Sequence, residues 1–144
     1  MAIKEDSMGF RKWLVPAAAL LLATPAFGGD VRVEIANLRS GDGMVRVAIC
    51  PRETFTQPSC PYVGAAPASR GAVVIEDVPD GVYAVQAFHD ENGNGDLDRR
   101  RFRPAEGLGF SRDARMWMGP PRFSDAAIRV TGDGMLTLTM RYYQ

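Results

Sequence analysis

The sequence predicts an all-β fold, an antiparallel β-sandwich of six to seven strands in two sheets. Three observations predict it. Beyond residue 29 the apolar residues recur with a period of two, turn-forming residues interrupt them every ~8–12 residues, and no segment there carries a helical period. "VRVEIANL" opens the series, with Val31, Val33 and Ile35 on one side and Arg32, Glu34 and Ala36 on the other. "GMVRVAIC" repeats the alternation through Val45, Val47 and Ile49, and the intervening "RSGDG" predicts a hairpin-type turn. "AVVIEDV" predicts a strand, "PDG" a turn, and "VYAVQAFH" a longer strand. At the C-terminal end "AAIRV", "TGDG" and "MLTLTMRYY" predict a last hairpin, its inner face lined by Leu136, Leu138 and Met140.

Ahead of this pattern lies a different kind of segment. Arg11 and Lys12 precede an apolar run of eleven residues, Trp13 to Ala23, and the small residues of "ATPAFGG" follow. Basic, apolar, small is the order of a secretory signal peptide. The run contains Pro16 and is shorter than the ~20 apolar residues a spanning helix requires. Residues 1–28 are therefore expected to be a signal peptide cleaved after Ala26 or Gly28, with Met8 an alternative start and an uncleaved anchor the rival reading. No cysteine at the cleavage region argues for a lipid anchor. Residues 29–144 are expected to form a single domain, exported to the periplasm or the extracellular space.

Charge narrows the class of partner. Of 17 basic residues, Lys4, Arg11 and Lys12 fall in the leader, and of 17 acidic residues Glu5 and Asp6 do. The remainder has 14 arginines, no lysine and 15 acids, a net charge of −1. Such a balance gives no reason to expect a nucleic-acid or membrane-surface binder, and no membrane span is expected in the mature chain. Cys50 and Cys60 are the only cysteines, and in an exported chain they predict a disulfide closing a short loop.

One stretch carries candidate chemistry. "HDENGNGDLD", His89 to Asp98, holds four carboxylates, two asparagines and two glycines. Calcium takes six to eight oxygen ligands at ~2.3–2.6 Å on a tightly curled chain. Counted from Asp90, side-chain oxygens fall at positions one (Asp90), three (Asn92), five (Asn94) and nine (Asp98). Gly95 takes the turn, Asp96 offers a backbone carbonyl, and Leu97 points inward. At position twelve Arg101 stands where a bidentate glutamate is expected, so Glu106 is the residue left to complete the shell. The predicted metal set is Asp90, Asn92, Asn94, Asp96, Asp98 and Glu106, with Ca²⁺ as the ion. The plain alternative is an Asn-Gly turn whose acids neutralise the arginines of "RRRFR".

Downstream, residues 99–124 form an irregular stretch of 26 residues rich in Arg, Gly and Pro. Loops of that length are usually functional or tied down. Arg99 and Arg101 in its basic cluster, with Phe110 and Trp117, form a possible ligand surface for a glycan or cell-envelope component. The commoner arrangements are a solvated basic face and an apolar plug. His89 is the sole histidine; with no local nucleophile motif and no second histidine, a structural role is expected ahead of a metal-dependent hydrolase.

The segments "DVPDGVYAVQAFHDENGNGDLD", "PAEGLGFS" and "GPPRFSDAAIRV", with "VRVEIANLRSGDGMVRVAI" before them, closely resemble a bacterial exported family known as domain of unknown function 2141. The resemblance implies an immunoglobulin-like or prealbumin-like β-sandwich outside the cytoplasm, with no established activity. On matching positions the family's acidic loop falls on His89 to Asp98 and its glutamate-glycine step on Glu106 and Gly107. Here "RRRFRPAEG" stands where members carry a glycine-proline step, and the cysteine pair is a local addition. The combined expectation is a non-enzymatic domain with a structural calcium loop, a ligand-binding module being the alternative.

Overall fold

The computed structural model describes residues 28–143. The predicted signal peptide lies, save for Gly28, outside the described residues. Ten strand segments account for most of the structure: β1 (Gly29–Ala36), β2 (Met44–Cys50), β3 (Tyr62–Pro67), β4 (Ala72–Val78), β5 (Gly81–Asp90), β6 (Arg99–Arg100), β7 (Arg103–Pro104), β8 (Leu108–Phe110), β9 (Ala127–Val130) and β10 (Gly134–Thr139). The one α-helix among the described residues is a single turn, α1 (Phe123–Ala126). No described helix is long and apolar enough to cross a membrane.

The strands form an all-β sandwich. One sheet has the order β10-β1-β4; the other has the order β3-β2-β5-β8, with β9 also paired to β5. Strand β5 runs long enough for β9 to pair with its first half and β8 with its second. Where one partner hands over to the other, the Val85 amide would be unpaired. The Ser111 hydroxyl accepts it at 2.9 Å and donates to the Ala126 carbonyl, so a buried backbone donor is satisfied by a side chain.

Two predicted turns are corrected. The segment "RSGDG" does not close a hairpin, because β1 pairs with β4 and β10 while β2 pairs with β3 and β5 in the other sheet. Likewise "TGDG" carries the chain from β9 in one sheet to β10 in the other. Strand β10 then runs parallel to β1, the one parallel pair among the named strands. Period-two patterning states which face is apolar but not which strand is the neighbour. Both turns bridge the two layers, so each strand still presents its apolar side to the same interior.

That interior holds the residues the alternation predicts. Val31, Val33, Val45, Val47 and Ile49 are at most 2% exposed, and Leu138 and Met140 are fully buried. Leu136 packs at the margin of this core. A fully buried Val, Leu or Ile contributes about 1.5–3 kcal/mol, so this layer supplies most of the cohesion.

A second, smaller apolar cluster covers the opposite face of the β3-β2-β5-β8 sheet. Phe55, Phe110 and Ala126 are buried there beside Cys50 and Cys60. The Phe55 ring meets Phe110 and Phe123 edge-on, with centroids 6.2 and 6.0 Å apart. The predicted bond between Cys50 and Cys60 is present. It pins the 51–59 loop under this layer, and closing ten residues contributes roughly 2–3 kcal/mol in the chain-entropy model. The irregular 99–124 stretch is thus largely a cover over one sheet face, tied down by Phe110, Met116 and Phe123.

Candidate functional site

Period-two geometry at the end of β5 sends His89 and Asp90 to opposite faces of the sheet. His89 turns inward and is fully buried. Its Nε2 donates to the Asp42 carbonyl at 2.7 Å, which leaves Nδ1 to accept the Tyr142 hydroxyl at 2.9 Å. Tyr142 in turn accepts the Arg39 amide and lies under the Arg39 guanidinium, 4.5 Å from ring centre. Both ring nitrogens of His89 are therefore engaged in holding the chain together.

Asp90 turns outward yet is also fully buried. Its Oδ2 accepts Arg46 Nε at 2.8 Å and the Gly95 amide at 2.9 Å. Burial pushes its carboxyl up, but the Arg46 guanidinium and the Gly95 and Asn94 amides outweigh that and hold it below the usual range. Its other oxygen, Oδ1, is buried with no hydrogen-bond partner. An unpaired carboxylate oxygen is costly, and native structures seldom leave one without a reason.

The loop that follows curls as its glycines and asparagines predict. Gly93 and Gly95 adopt φ of 68° and 82°. Asn92 Oδ1 accepts the Asn94 amide and Asn94 Oδ1 accepts the Asp96 amide, two successive Asx-type turns. The amide groups of Asn92 and Asn94 both donate to Asp98, which gathers the three side chains. Leu97 points back onto the second apolar layer.

Glu106 closes the loop from the far side. It is 5% exposed, and its carboxylate accepts the Glu91 amide through Oε1 and the Asp98 amide through Oε2, each at 3.2 Å. One side chain therefore clasps both ends of the acidic run. Burial raises its carboxyl above the usual value, the Asp98 and Asp90 charges add to that, and the two amides offset only part. Glu91 is engaged elsewhere, by Arg39 and Ser40. Burial pushes its carboxyl up, and Arg39 more than reverses this.

The predicted metal residues are thus brought together in part. Asp90, Asn92, Asn94, Asp98 and Glu106 belong to one bonded cluster, whereas the Asp96 side chain lies exposed. Convergence of their oxygens on one point is not what this conformation presents. Two carboxamide nitrogens face Asp98, and among the described residues no three His, Cys, Asp or Glu side chains meet as a metal cluster.

Beside the loop lies a groove of about 1350 Å³ on the outer face of the β3-β2-β5-β8 sheet. Gly95 and Leu97 of the acidic loop line it, as do Arg46, Arg99 and Phe110. Trp117 stands at its rim, 92% exposed, while Phe110 is buried in its floor and offers no free platform. Arg101 is exposed at the tip of the β6–β7 ribbon, and the groove lining does not include it. Arg46 is the functional residue that sequence reading missed. The alternation places it on the outward side of β2, but its contact with Asp90 requires β2 to pair with β5, three strands further along the chain.

A family model described as "Uncharacterized protein conserved in bacteria (DUF2141)" matches residues 33–137, which span from within β1 to within β10 and include the acidic loop and Glu106. No curated protein and no solved structure matches the chain.

Proposed function

The chain belongs to the DUF2141 family, and we propose that it is an exported, non-catalytic domain whose 90–98 loop takes up calcium as a structural ion. The observation that carries this reading is Asp90 Oδ1, a buried carboxylate oxygen without a partner, close to Glu106, whose buried carboxyl is pushed up by desolvation and by the Asp98 and Asp90 charges. A cation is the simplest group that satisfies that oxygen and relieves the repulsion at once. The oxygen-only donor set and the curled glycine-rich backbone suit calcium ahead of magnesium or zinc.

Uptake has a cost in this loop. The Asn92 and Asn94 amides must release Asp98 before its oxygens can turn to the ion. The Asx-turn oxygens keep a second lone pair for coordination. That rearrangement, and Arg101 at position twelve, point to the weak range of extracellular modules, ~10⁻⁴–10⁻³ M. The ion would fasten the acidic loop to Glu106 and so brace the segment from β6 to α1.

At about 10 mM calcium, ten to a hundred times that dissociation constant, binding to the folded state alone stabilises by roughly 1.4–2.7 kcal/mol. The expected result is a melting temperature about 5–10 °C higher than in a chelator. Tryptic cleavage at Arg99, Arg100 and Arg101 should slow in parallel. Equal melting and equal cleavage in calcium and chelator would dispose of the structural-ion reading.

A second reading, that the 99–124 cover forms a ligand-binding surface, is favoured by the groove it borders. A glycan or another cell-envelope component is the class of partner this reading gives it.

A further inference from the structure

Four features of the groove narrow what it takes. Seven large hydrophobic side chains are exposed among the described residues, and four of them, Val63, Phe102, Trp117 and Met118, line this one groove. Exposed apolar surface concentrated in one place marks a contact site, whereas scattered single residues do not. Ala48, Ala65, Phe88, Leu97 and Leu108 supply a largely apolar lining, with Gln86 set opposite Ala48 as a polar side chain within it. The charged residues of its lining are all arginines, Arg46, Arg99 and Arg103, with no Asp or Glu among them. That bias is marked in a domain whose net charge is close to zero. Arg46 already holds Asp90, whereas no ion pair among the described residues engages Arg99.

We propose that this groove binds a long-chain carboxylate, its hydrocarbon tail laid on the Ala48–Phe88 floor under Trp117 and its head group held by Arg99. The chemistry discriminates against the neighbouring classes. A sugar brings many hydroxyls, each needing a partner when water is displaced, and beyond Thr56, Gln86, two tyrosines and the arginines the lining has no Asp, Glu, Asn or His side chain to serve them. A cationic amphiphile meets only like charge. A phosphate monoester carries close to two charges, twice what the Arg99 guanidinium alone offsets. A single carboxylate matches Arg99 in charge and in its two-oxygen geometry. The tail contributes through burial, so affinity must depend on its length.

This inference rests on the ligand-binding reading of the 99–124 segment and is independent of calcium. Trp117 and Trp13 are the only tryptophans, so a Trp13→Phe full chain reports the groove through Trp117 emission alone. Titration, in chelator and below micelle formation, would use dodecanoate, decanoate, dodecyl phosphate, dodecyltrimethylammonium and dodecyl maltoside. The expected result is a saturable blue shift with dodecanoate, roughly tenfold weaker with decanoate, the ratio two buried methylenes give. The cationic probe and the maltoside should bind at least tenfold more weakly. Arg99→Glu, at an exposed position, should weaken dodecanoate about tenfold and leave the melting temperature unchanged. Tighter binding of dodecyl phosphate or the maltoside would overturn the carboxylate assignment while the groove remained a ligand site. No saturable shift with any of the five would overturn both.

Discussion

Gly43→Ala is expected to destabilise the domain by about 4 kcal/mol or more, among the largest effects of any single methyl group in the chain. Gly43 has φ of +67°, and a β-carbon built there would lie 2.1 Å from the Asp90 carbonyl oxygen and 2.6 Å from that of Glu91. Both obstacles are backbone, at the point where β5 ends and the acidic loop begins, so neither can rotate aside. The neighbouring Asp42 carbonyl holds His89, and the Gly43 carbonyl accepts the Ala68 amide, so a shift here propagates to both sheets. Two other glycines separate the contributions. Gly71 has φ of +65° with nothing within 4 Å, so Gly71→Ala should cost only the ~1–2 kcal/mol of left-handed strain. Gly41 has no left-handed φ and would meet Ser69 at 3.6 Å, so Gly41→Ala should lie within about 0.5 kcal/mol of the parent. Urea unfolding of the three variants measures the order. Equal losses at Gly43 and Gly71 would show that backbone strain alone, without the close approach to Asp90, governs the site.

The second large effect is expected at Glu106. Glutamine keeps the length of the side chain but has one acceptor oxygen where glutamate has two. Only one of the Glu91 and Asp98 amides can then be satisfied, and the other is left facing a second donor. Hydrogen bonds to a charged acceptor contribute about 1.5–3 kcal/mol, so Glu106→Gln should lose roughly that much even in chelator. It should also weaken calcium uptake by at least about tenfold, because the clasp across the loop and one ligand are removed together. Denaturation with and without calcium separates the two losses. A variant as stable as the parent in chelator would show that the Glu106 clasp contributes nothing to holding the loop.

Much of the fold is legible in the residues because alternation reports which side of a strand is buried. Val31, Val33 and Ile35, and Val45, Val47 and Ile49, face the interior as their spacing predicts. Pairing was not legible. The turns "RSGDG" and "TGDG" have hairpin composition yet connect different sheets, since a glycine-rich turn permits a reversal without fixing the partner strand. Strand β8 and the mini-ribbon β6–β7 also escaped notice. Segments of two or three residues are too short to show a period, and tertiary contacts with β5 and Arg141 create them.

The site divides along the same line. The loop from Asp90 to Asp98 is local, so spacing sufficed to group Asn92, Asn94 and Asp98 and to bring in Glu106. The contacts that set its electrostatics are long-range: Arg46 on Asp90, and the chain from Glu91 through Arg39 and Tyr142 to His89. Their signal in the sequence is a single outward arginine on β2 and a tyrosine near the C-terminus, neither of which points to β5 until the sheets are assembled. Phe110 and Trp117 show the limit most plainly. Both are aromatic residues in one irregular stretch, yet one is buried under Phe55 and the other stands in solvent.

Calorimetric titration of the folded chain with calcium, beside an Asp98→Asn variant, addresses the central claim most directly. Asp98 is only partly buried and isosteric with asparagine, so the fold should survive the change. The expected result is one-site uptake by the parent with a dissociation constant near ~10⁻⁴–10⁻³ M, weakened at least about tenfold in the variant. A parent that evolves no heat at millimolar calcium, or a variant with the same isotherm, would contradict it.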